Sequence, residues 1–188
     1  MDVRPLTQDR FGDLEALFAG KGCSFARSCW CMEYRLSGKR DLPDGVPPKE
    51  ARKAMLHDLA GQAPAPGLIA YQDGAPVGWV TLGPRESFRR LARSPVMKPV
   101  DDVPVWSVVC FVVPSDRRGQ GIAHDLLSAA VTFARSHGAE AVEGYPVDKA
   151  ERSQPQWLWH GTRSMFERAG FAEIARRTPQ RPVMRRVL

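Results

Sequence analysis

An apolar run that leads through a glycine-rich turn into a long amphipathic helix constrains this chain more than any other feature. Val105 to Val113 is nearly all apolar, which predicts a strand covered on both faces at the centre of a sheet. From Gly119 to His137 the apolar residues recur at helical spacing, which predicts a helix with one face in the core. The central strand therefore delivers the chain directly to the N-terminus of a helix.

The rest of the chain alternates between strand and helix patterns. Strands are predicted at 3–6, 68–72, 77–82, 141–147, 172–177 and 183–187, and helices at 8–19, from about 48 to 60 and at 163–169. Asp73 and Gly74, between two of these strands, are typical of a tight hairpin turn. The order predicts an α+β fold in which helices are interleaved with a mixed sheet.

Length and apolar content predict one domain that does not enter a membrane. The 188 residues are 43% hydrophobic, which is enough to bury one core. The longest apolar run is much shorter than the roughly 20 residues of a membrane-spanning helix, and the N-terminal residues lack the apolar core of a secretory signal. We therefore expect a single domain over residues 1–188, with an exposed loop within 31–50, in the cytoplasm.

The turn between the central strand and the helix has the chemistry of an anion site. A helix N-terminus offers unpaired N–H groups, and Gly119 and Gly121 leave room for a phosphate to approach the backbone. Arg117 and Arg118 add positive charge, in a chain whose formal net charge of +6 suits an anionic ligand but is too diffuse to indicate nucleic acid. The Lys-Ser/Thr pair of a P-loop and the third glycine of a dinucleotide site are both absent from this turn.

Arg118, Gly121 and Ala123 match the pattern Arg/Gln, two residues, Gly, one residue, Gly/Ala, and in this the chain resembles the GNAT superfamily of acyl-CoA N-acyltransferases. The resemblance extends to the helices after the first strand, the hairpin, the lead-in at 112–114 and the closing segment 166–171. It implies a mixed, mostly antiparallel central sheet with helices on both faces. It also implies acetyl-CoA as the acyl donor, with no metal.

The same resemblance implies where the donor binds. In the superfamily the strand before the turn splays from its neighbour, and backbone amides bind the pantetheine arm in the gap. The implied cofactor-binding residues are Cys110, Phe111, Val112, Arg117, Arg118, Gly119, Gln120, Gly121, Ile122 and Ala123. The backbone amide of Cys110 is expected to bind the thioester oxygen and to stabilise the oxyanion that forms there.

Two positions depart from the superfamily pattern. Phe166 stands where relatives often have a tyrosine that protonates the departing thiolate, and Trp159 stands where many have an asparagine that touches the cofactor. We expect Tyr145, on the strand after the long helix, to act as the substitute acid. Glu143 is the nearest candidate for the base that removes a proton from the attacking amine.

A cluster of cysteines and aromatic residues between 23 and 34 lies where GNAT relatives place the loop that lines the acceptor site. The spacing of Cys23, Cys29 and Cys31 does not fit a tetrahedral zinc site, and buried thiols beside aromatic groups are the favoured interpretation over a reactive thiol. The sequence also allows an aromatic wall that contacts the acceptor. Its members are Trp30, Met32 and Tyr34, facing Trp157 and Trp159.

Together these features predict an N-acyltransferase that moves an acetyl group to a primary amine of a small molecule or peptide through a ternary complex. No nucleic-acid or membrane partner is expected, and a homodimer stays open. One alternative is a GNAT-fold protein that senses CoA or binds a partner without catalysis. Another is a metal-binding module built on the N-terminal cysteines.

Overall fold

The computed structural model describes residues 1–148 and 159–188. The strands of this part are β1 (Asp2–Pro5), β2 (Gly67–Gln72), β3 (Ala75–Pro84), β4 (Trp106–Val112), β5 (Ala141–Gly144), β6 (Ala172–Thr178) and β7 (Arg181–Val187). The helices are α1 (Phe11–Ala19), α2 (Ser24–Cys29), α3 (Pro48–Ala60), α4 (Arg89–Arg93), α5 (Ile122–Ser136) and α6 (Arg163–Arg168).

The strands form one sheet in the order β1-β2-β3-β4-β5-β7-β6. Every neighbouring pair is antiparallel except β4 with β5, which is parallel. All seven residues of β4 are buried, and β4 is the middle strand of the order. The prediction of a mixed, mostly antiparallel sheet with this apolar run at its centre is confirmed.

Helices cover both faces of the sheet. Because side chains along a strand point alternately to opposite faces, β4 contributes Cys110 to one apolar core and Phe111 to the other. The first core is completed by residues of α1 to α4, and the second by residues of α5 and α6. The GNAT resemblance implied this two-sided arrangement.

The pairing of β4 with β5 is short, and a gap opens where it ends. The two strands share three residue pairs, the last being Val108 with Gly144. The register of β4 against β3 shifts just beyond, between Thr81 and Leu82, which leaves Val109 as a bulge. Past Val108 and Gly144, β4 and β5 separate. The strand predicted to run to residue 147 therefore ends at Gly144.

Most predicted elements are present, and the differences are local. Asp73 and Gly74 have φ values of 52° and 79°, the two left-handed conformations that a tight two-residue hairpin requires. The helices α2 and α4 were not predicted, since six and five residues are too few to show helical periodicity. Within 31–50 the chain is exposed mainly from residue 38 onward, because Cys31, Met32 and Leu36 are buried. Among the described residues, none of the helices is both long and apolar enough to cross a membrane.

Candidate functional site

A cavity of about 440 Å³ lies at the start of α5. It is enclosed by α2 and the loop before it, by the end of β4, by the glycine turn, and by residues of the segment 159–168. The residues predicted to bind the cofactor that line it are Cys110, Phe111, Val112, Arg117, Arg118, Gly119, Gly121, Ile122 and Ala123. Gln120 is the one predicted member that does not.

The glycine turn is shaped for a ligand that approaches the backbone. Gly119 and Gly121 have φ values of 80° and 83°, a conformation that other residues adopt only under strain, and a Cβ atom at either would point into open space. His124 and Asp125 both donate their N–H groups to the Gly121 carbonyl. The N–H group of Ile122, the first residue of the helix, has no carbonyl oxygen to bond within the helix. The positive end of the helix therefore opens on the cavity.

Arg118 ties the turn to the loop before α2. Its Nε donates to the Val113 carbonyl oxygen at 3.1 Å, and its Nη2 donates to the Gly22 carbonyl oxygen at 3.5 Å. Gly22 has a φ of 76°, and a Cβ there would lie 2.9 Å from Ser115 Cβ. The two hydrogen bonds of Arg118 hold its guanidinium at the edge of the cavity, where its charge adds to that of the helix end.

The backbone amide that faces the gap is that of Phe111. Its N–H donates to the carbonyl oxygen of Trp159 at 2.6 Å. Successive N–H groups of a strand point to opposite edges, so the Cys110 N–H points toward β3. The amide that faces the gap is therefore that of Phe111 and not that of Cys110, because the bulge at Val109 changes which amides reach it.

Glu143 and Tyr145 lie in a buried network and not at the cavity wall. The Tyr145 hydroxyl lies 2.9 Å from Ser107 Oγ and donates to Glu143 Oε2 at 3.3 Å. Arg185 donates to Glu143 Oε1 at 2.6 Å and also binds Asp101. Burial, with the Glu143 charge nearby, raises the pKa of Tyr145. The structure therefore brings these two predicted catalytic residues together, but away from the cavity.

Phe166 is a core residue. It is fully buried, its ring packs edge-on against Phe171 at a centroid distance of 5.0 Å, and it covers Gly144 so closely that a Cβ there would lie 2.0 Å from the ring. The ring fills the space over β5 on the α5 side of the sheet. The phenylalanine ring has nearly the shape of a tyrosine side chain, but it carries no hydroxyl that could protonate a thiolate.

The aromatic wall expected from the sequence is divided in the structure. Trp30 is buried and stacks on Phe11 at 5.9 Å, because its left-handed backbone, with a φ of 46°, ends α2 and turns the ring into the core. Met32 is buried as well. Trp159 stacks instead on Phe25 of α2, at 4.9 Å and an interplanar angle of 10°. Trp157 lies outside the described residues.

Tyr34 is the member of the predicted wall that reaches Trp159. Its hydroxyl lies 2.9 Å from His160 Nε2 and also interacts with the Trp159 side chain. Burial raises the pKa of Tyr34 to about 12 and lowers the pKa of His160 to about 3. At neutral pH this pair is therefore an uncharged phenol next to an uncharged imidazole.

The four cysteines are buried free thiols. Cys31 Sγ lies 3.8 Å from Cys110 Sγ, directly behind the strand that lines the cavity. Neighbouring thiols and burial raise the pKa of Cys29 and of Cys31, so neither forms a thiolate readily. In the described ranges, no three His, Cys, Asp or Glu side chains are grouped so that they could hold a metal ion.

Sequence reasoning missed Phe25, His160 and Arg181, which lie near the gap. Phe25 belongs to a helix too short to predict, and His160 reads as a loop residue. Arg181 lies in a basic stretch that has the composition of ordinary surface. The position of Arg181 near the gap depends on tertiary contacts, so no local pattern in the sequence predicts it.

Comparison with protein families and solved structures places this architecture among known proteins. Residues 32–171 match the model of the acetyltransferase (GNAT) family. Ribosomal-protein-alanine N-acetyltransferase from Brucella melitensis is 18% identical, with a TM-score of 0.54 and 100% of both chains covered. The GNAT domain of S. lividans PAT is 17% identical, with a TM-score of 0.55 and 99% of this chain and 89% of that chain covered.

A GNAT family acetyltransferase from Listeria monocytogenes is 12% identical, with a TM-score of 0.57 and coverage of 100% of this chain and 94% of that one. At such identities the likeness is one of fold, and the expected GNAT-like fold is confirmed. A comparison with curated proteins gives no significant match.

Proposed function

Because the chain belongs to the GNAT acetyltransferase family, we propose that it transfers an acetyl group from acetyl-CoA to a primary amine while both substrates are bound. The observation that carries this proposal is the cavity that joins the N-terminus of α5 to the open edge of β4. One end offers N–H groups and arginine charge to a pyrophosphate, and the other offers strand amides to an extended pantetheine arm. A thioester held in this way supplies the activated acyl group.

The glycine turn fits the donor. A pyrophosphate needs space above Gly119 and Gly121, and a Cβ built on either glycine meets no atom within 4 Å. The N–H groups of Ile122 and Ala123 point from the start of α5, and Arg117 lines the same cavity. These groups would bind and orient the donor without moving.

Phe111 supplies the amide that would polarise the acyl carbonyl. A backbone N–H directed at the carbonyl oxygen stabilises the negative charge that develops there during attack. In the free protein this N–H is bonded to the Trp159 carbonyl at 2.6 Å. Donor binding therefore requires that the Trp159 carbonyl give up this bond.

Tyr34 is better placed than Tyr145 to protonate the departing thiolate. Tyr145 is committed to Ser107 and Glu143. The Tyr34 hydroxyl lies beside Trp159, whose side chain lines the cavity. We propose Tyr34 as the acid, in contact with His160, and retain Glu143 only as a distant candidate base because Arg185 already neutralises it.

The proposal is tested by binding and turnover with a matched pair of glycine variants. Gly121→Asp places a carboxylate at the N-terminal end of α5, and like-charge repulsion should weaken acetyl-CoA binding by at least about a hundredfold in calorimetry. Gly138→Asp is the control. Gly138, at the other end of α5, has a similar φ of 75° and equally open surroundings.

Full affinity in Gly121→Asp, or no binding by the wild-type protein, would refute the proposed donor site. Release of free thiol from acetyl-CoA, measured across a panel of primary amines, tests catalysis separately. A CoA sensor without catalysis is the second candidate, and the specific observation in its favour is the Phe111 amide bonded to Trp159. Such a sensor binds acetyl-CoA but releases no thiol with any amine.

A further inference from the structure

A half-buried guanidinium lies near Tyr34 and His160, and no carboxylate of the described residues pairs with it. Arg181 opens β7, and its Nη1 donates to the Tyr145 carbonyl oxygen at 3.4 Å. Within residues 1–148 and 159–188, no carboxylate forms an ion pair with it. Removing a cation from water without a partner is costly, and burial accordingly lowers the pKa of Arg181.

Two other arginines of the same two strands are paired with carboxylates, whereas Arg177 and Arg186 donate to carbonyl oxygens. Arg185 of β7 binds Glu143, and Arg176 of β6 binds Asp148 at 2.7 Å. Asp148 lies close to the β6–β7 turn, since its N–H donates to the Gln180 carbonyl oxygen, yet its carboxylate is directed to other arginines. Among the described residues, Arg181 therefore has no carboxylate partner even though Asp148 lies near the same turn.

The described groups that face Arg181 do not oppose its charge at neutral pH. Burial, which has a larger effect than the Arg181 charge, raises the pKa of Tyr34 and lowers the pKa of His160, so both are uncharged near pH 7. His160 Nδ1 is also buried with no acceptor in hydrogen-bond geometry among the described residues. The Val109 carbonyl is near enough to affect the imidazole without meeting it in that geometry. The described residues of this corner therefore offer hydrogen-bond donors and no anion.

Trp159 contacts both this corner and the donor cavity. Its ring lines the cavity, its carbonyl receives the Phe111 N–H, and its side chain touches the Tyr34 hydroxyl. Cys110, on the cavity wall, is also close enough to Tyr34 to influence the pKa of that hydroxyl. A molecule bound at Arg181 would therefore hold its other end next to the gap in the sheet.

We infer that the acceptor amine also carries an anionic group, a carboxylate or a phosphate, which binds Arg181 beside Tyr34 and His160. This inference rests on the proposed function and deepens it by naming the acceptor class. The guanidinium suits both anions because its N–H groups form paired bonds to two oxygens. Cationic acceptors such as polyamines are excluded from this position by the same charge.

The test compares amines that differ only in the anion. Leucine is set against leucinamide, as are the other standard amino acids against their amides, and O-phosphoethanolamine against ethanolamine, which separates carboxylate from phosphate. Wild-type protein saturated with CoA is titrated with each in a calorimeter, and thiol release from acetyl-CoA is measured in parallel. Arg181→Gln removes the charge, and Arg135→Gln, at an exposed position on α5, removes an equal charge elsewhere.

We expect at least one anionic amine to bind and react better than its neutral counterpart. In Arg181→Gln that preference should fall by about tenfold to a hundredfold, whereas Arg135→Gln should keep the preference of the wild-type protein. Equal loss for anionic and neutral amines would indicate a structural role and overturn the inference. So would binding of neutral amines alone, or of no member of the panel.

The two proposals fail in different ways. If anionic amines bind in an Arg181-dependent manner but no thiol is released, the anion site stands and the acetyltransferase function falls. If thiol is released but no anionic amine is preferred over its neutral counterpart, or that preference does not depend on residue 181, the function stands and the anion site falls.

Discussion

At the scale of single residues, the tightest packing in the described structure near the gap lies between β5 and α6. A Cβ on Gly144 would lie 2.0 Å from Cε1 of Phe166. We expect Gly144→Ala to lower the free energy of unfolding by about 1–3 kcal/mol, because the added methyl must displace the ring or the strand. Urea denaturation monitored by circular dichroism measures the change.

Two further variants make this prediction specific. Phe166→Leu should rescue part of the loss when combined with Gly144→Ala, since the smaller side chain leaves room for the methyl. Gly12→Ala is the matched control, because Gly12 lies on the exposed side of α1 with no atom within 4 Å of an added Cβ. It should leave stability unchanged or raise it slightly. Additive losses in the double variant would contradict the contact.

At the scale of secondary-structure elements, α2 contributes a wall of the cavity through Phe25. This side chain is 52% exposed and is held mainly by its stack on Trp159. Phe25→Ala should therefore weaken acetyl-CoA binding by about three- to tenfold while hardly changing stability. Phe25→Tyr preserves the stack and should bind like the wild-type protein. Unchanged affinity in Phe25→Ala would mean that α2 is not part of the donor site.

Elements with a strong local pattern could be predicted from the sequence, and so could the glycine turn before α5. The buried strand β4, the stripe of α5 and the residues Arg118, Gly121 and Ala123 carry their own signals. The proposed acceptor side could not be predicted, because it depends on contacts between residues distant in sequence. Tyr34 and His160 are 126 residues apart in sequence, and nothing local shows that they meet. Whether Trp30 faces the core or the site is likewise decided by one left-handed residue at the end of α2.

At the scale of the whole molecule, a buried neutral histidine links folding to pH. The pKa of His160 is about 3 in the folded protein, mainly because of burial, against about 6.5 in an unfolded chain. Between these values the unfolded chain binds more protons, so stability rises with pH there and is lost as pH falls. The contribution is complete above about pH 6.5 and declines by at most about 1.4 kcal/mol per pH unit below it.

His160→Gln cannot take up this proton. Its disadvantage relative to the wild-type protein, measured by urea denaturation at pH 7, should therefore shrink by about 2 kcal/mol at pH 5. His57→Gln, at a half-exposed position, serves as the control for loss of an ordinary histidine. A constant difference between wild type and His160→Gln across this range would show that His160 titrates normally in the folded state.

The short parallel pairing of β4 with β5 divides the sheet into two parts. Four strands lie on one side and three on the other, and three residue pairs join them in the ladder. An acyl donor bound along the free edge of β4, as we propose, would contact both parts of the sheet, so its binding energy would stabilise the folded protein. At a hundred times its dissociation constant it would raise stability by about 2.7 kcal/mol. The strands β5, β7 and β6, which include Arg181, would then be held against β4 partly by the donor bound at its edge.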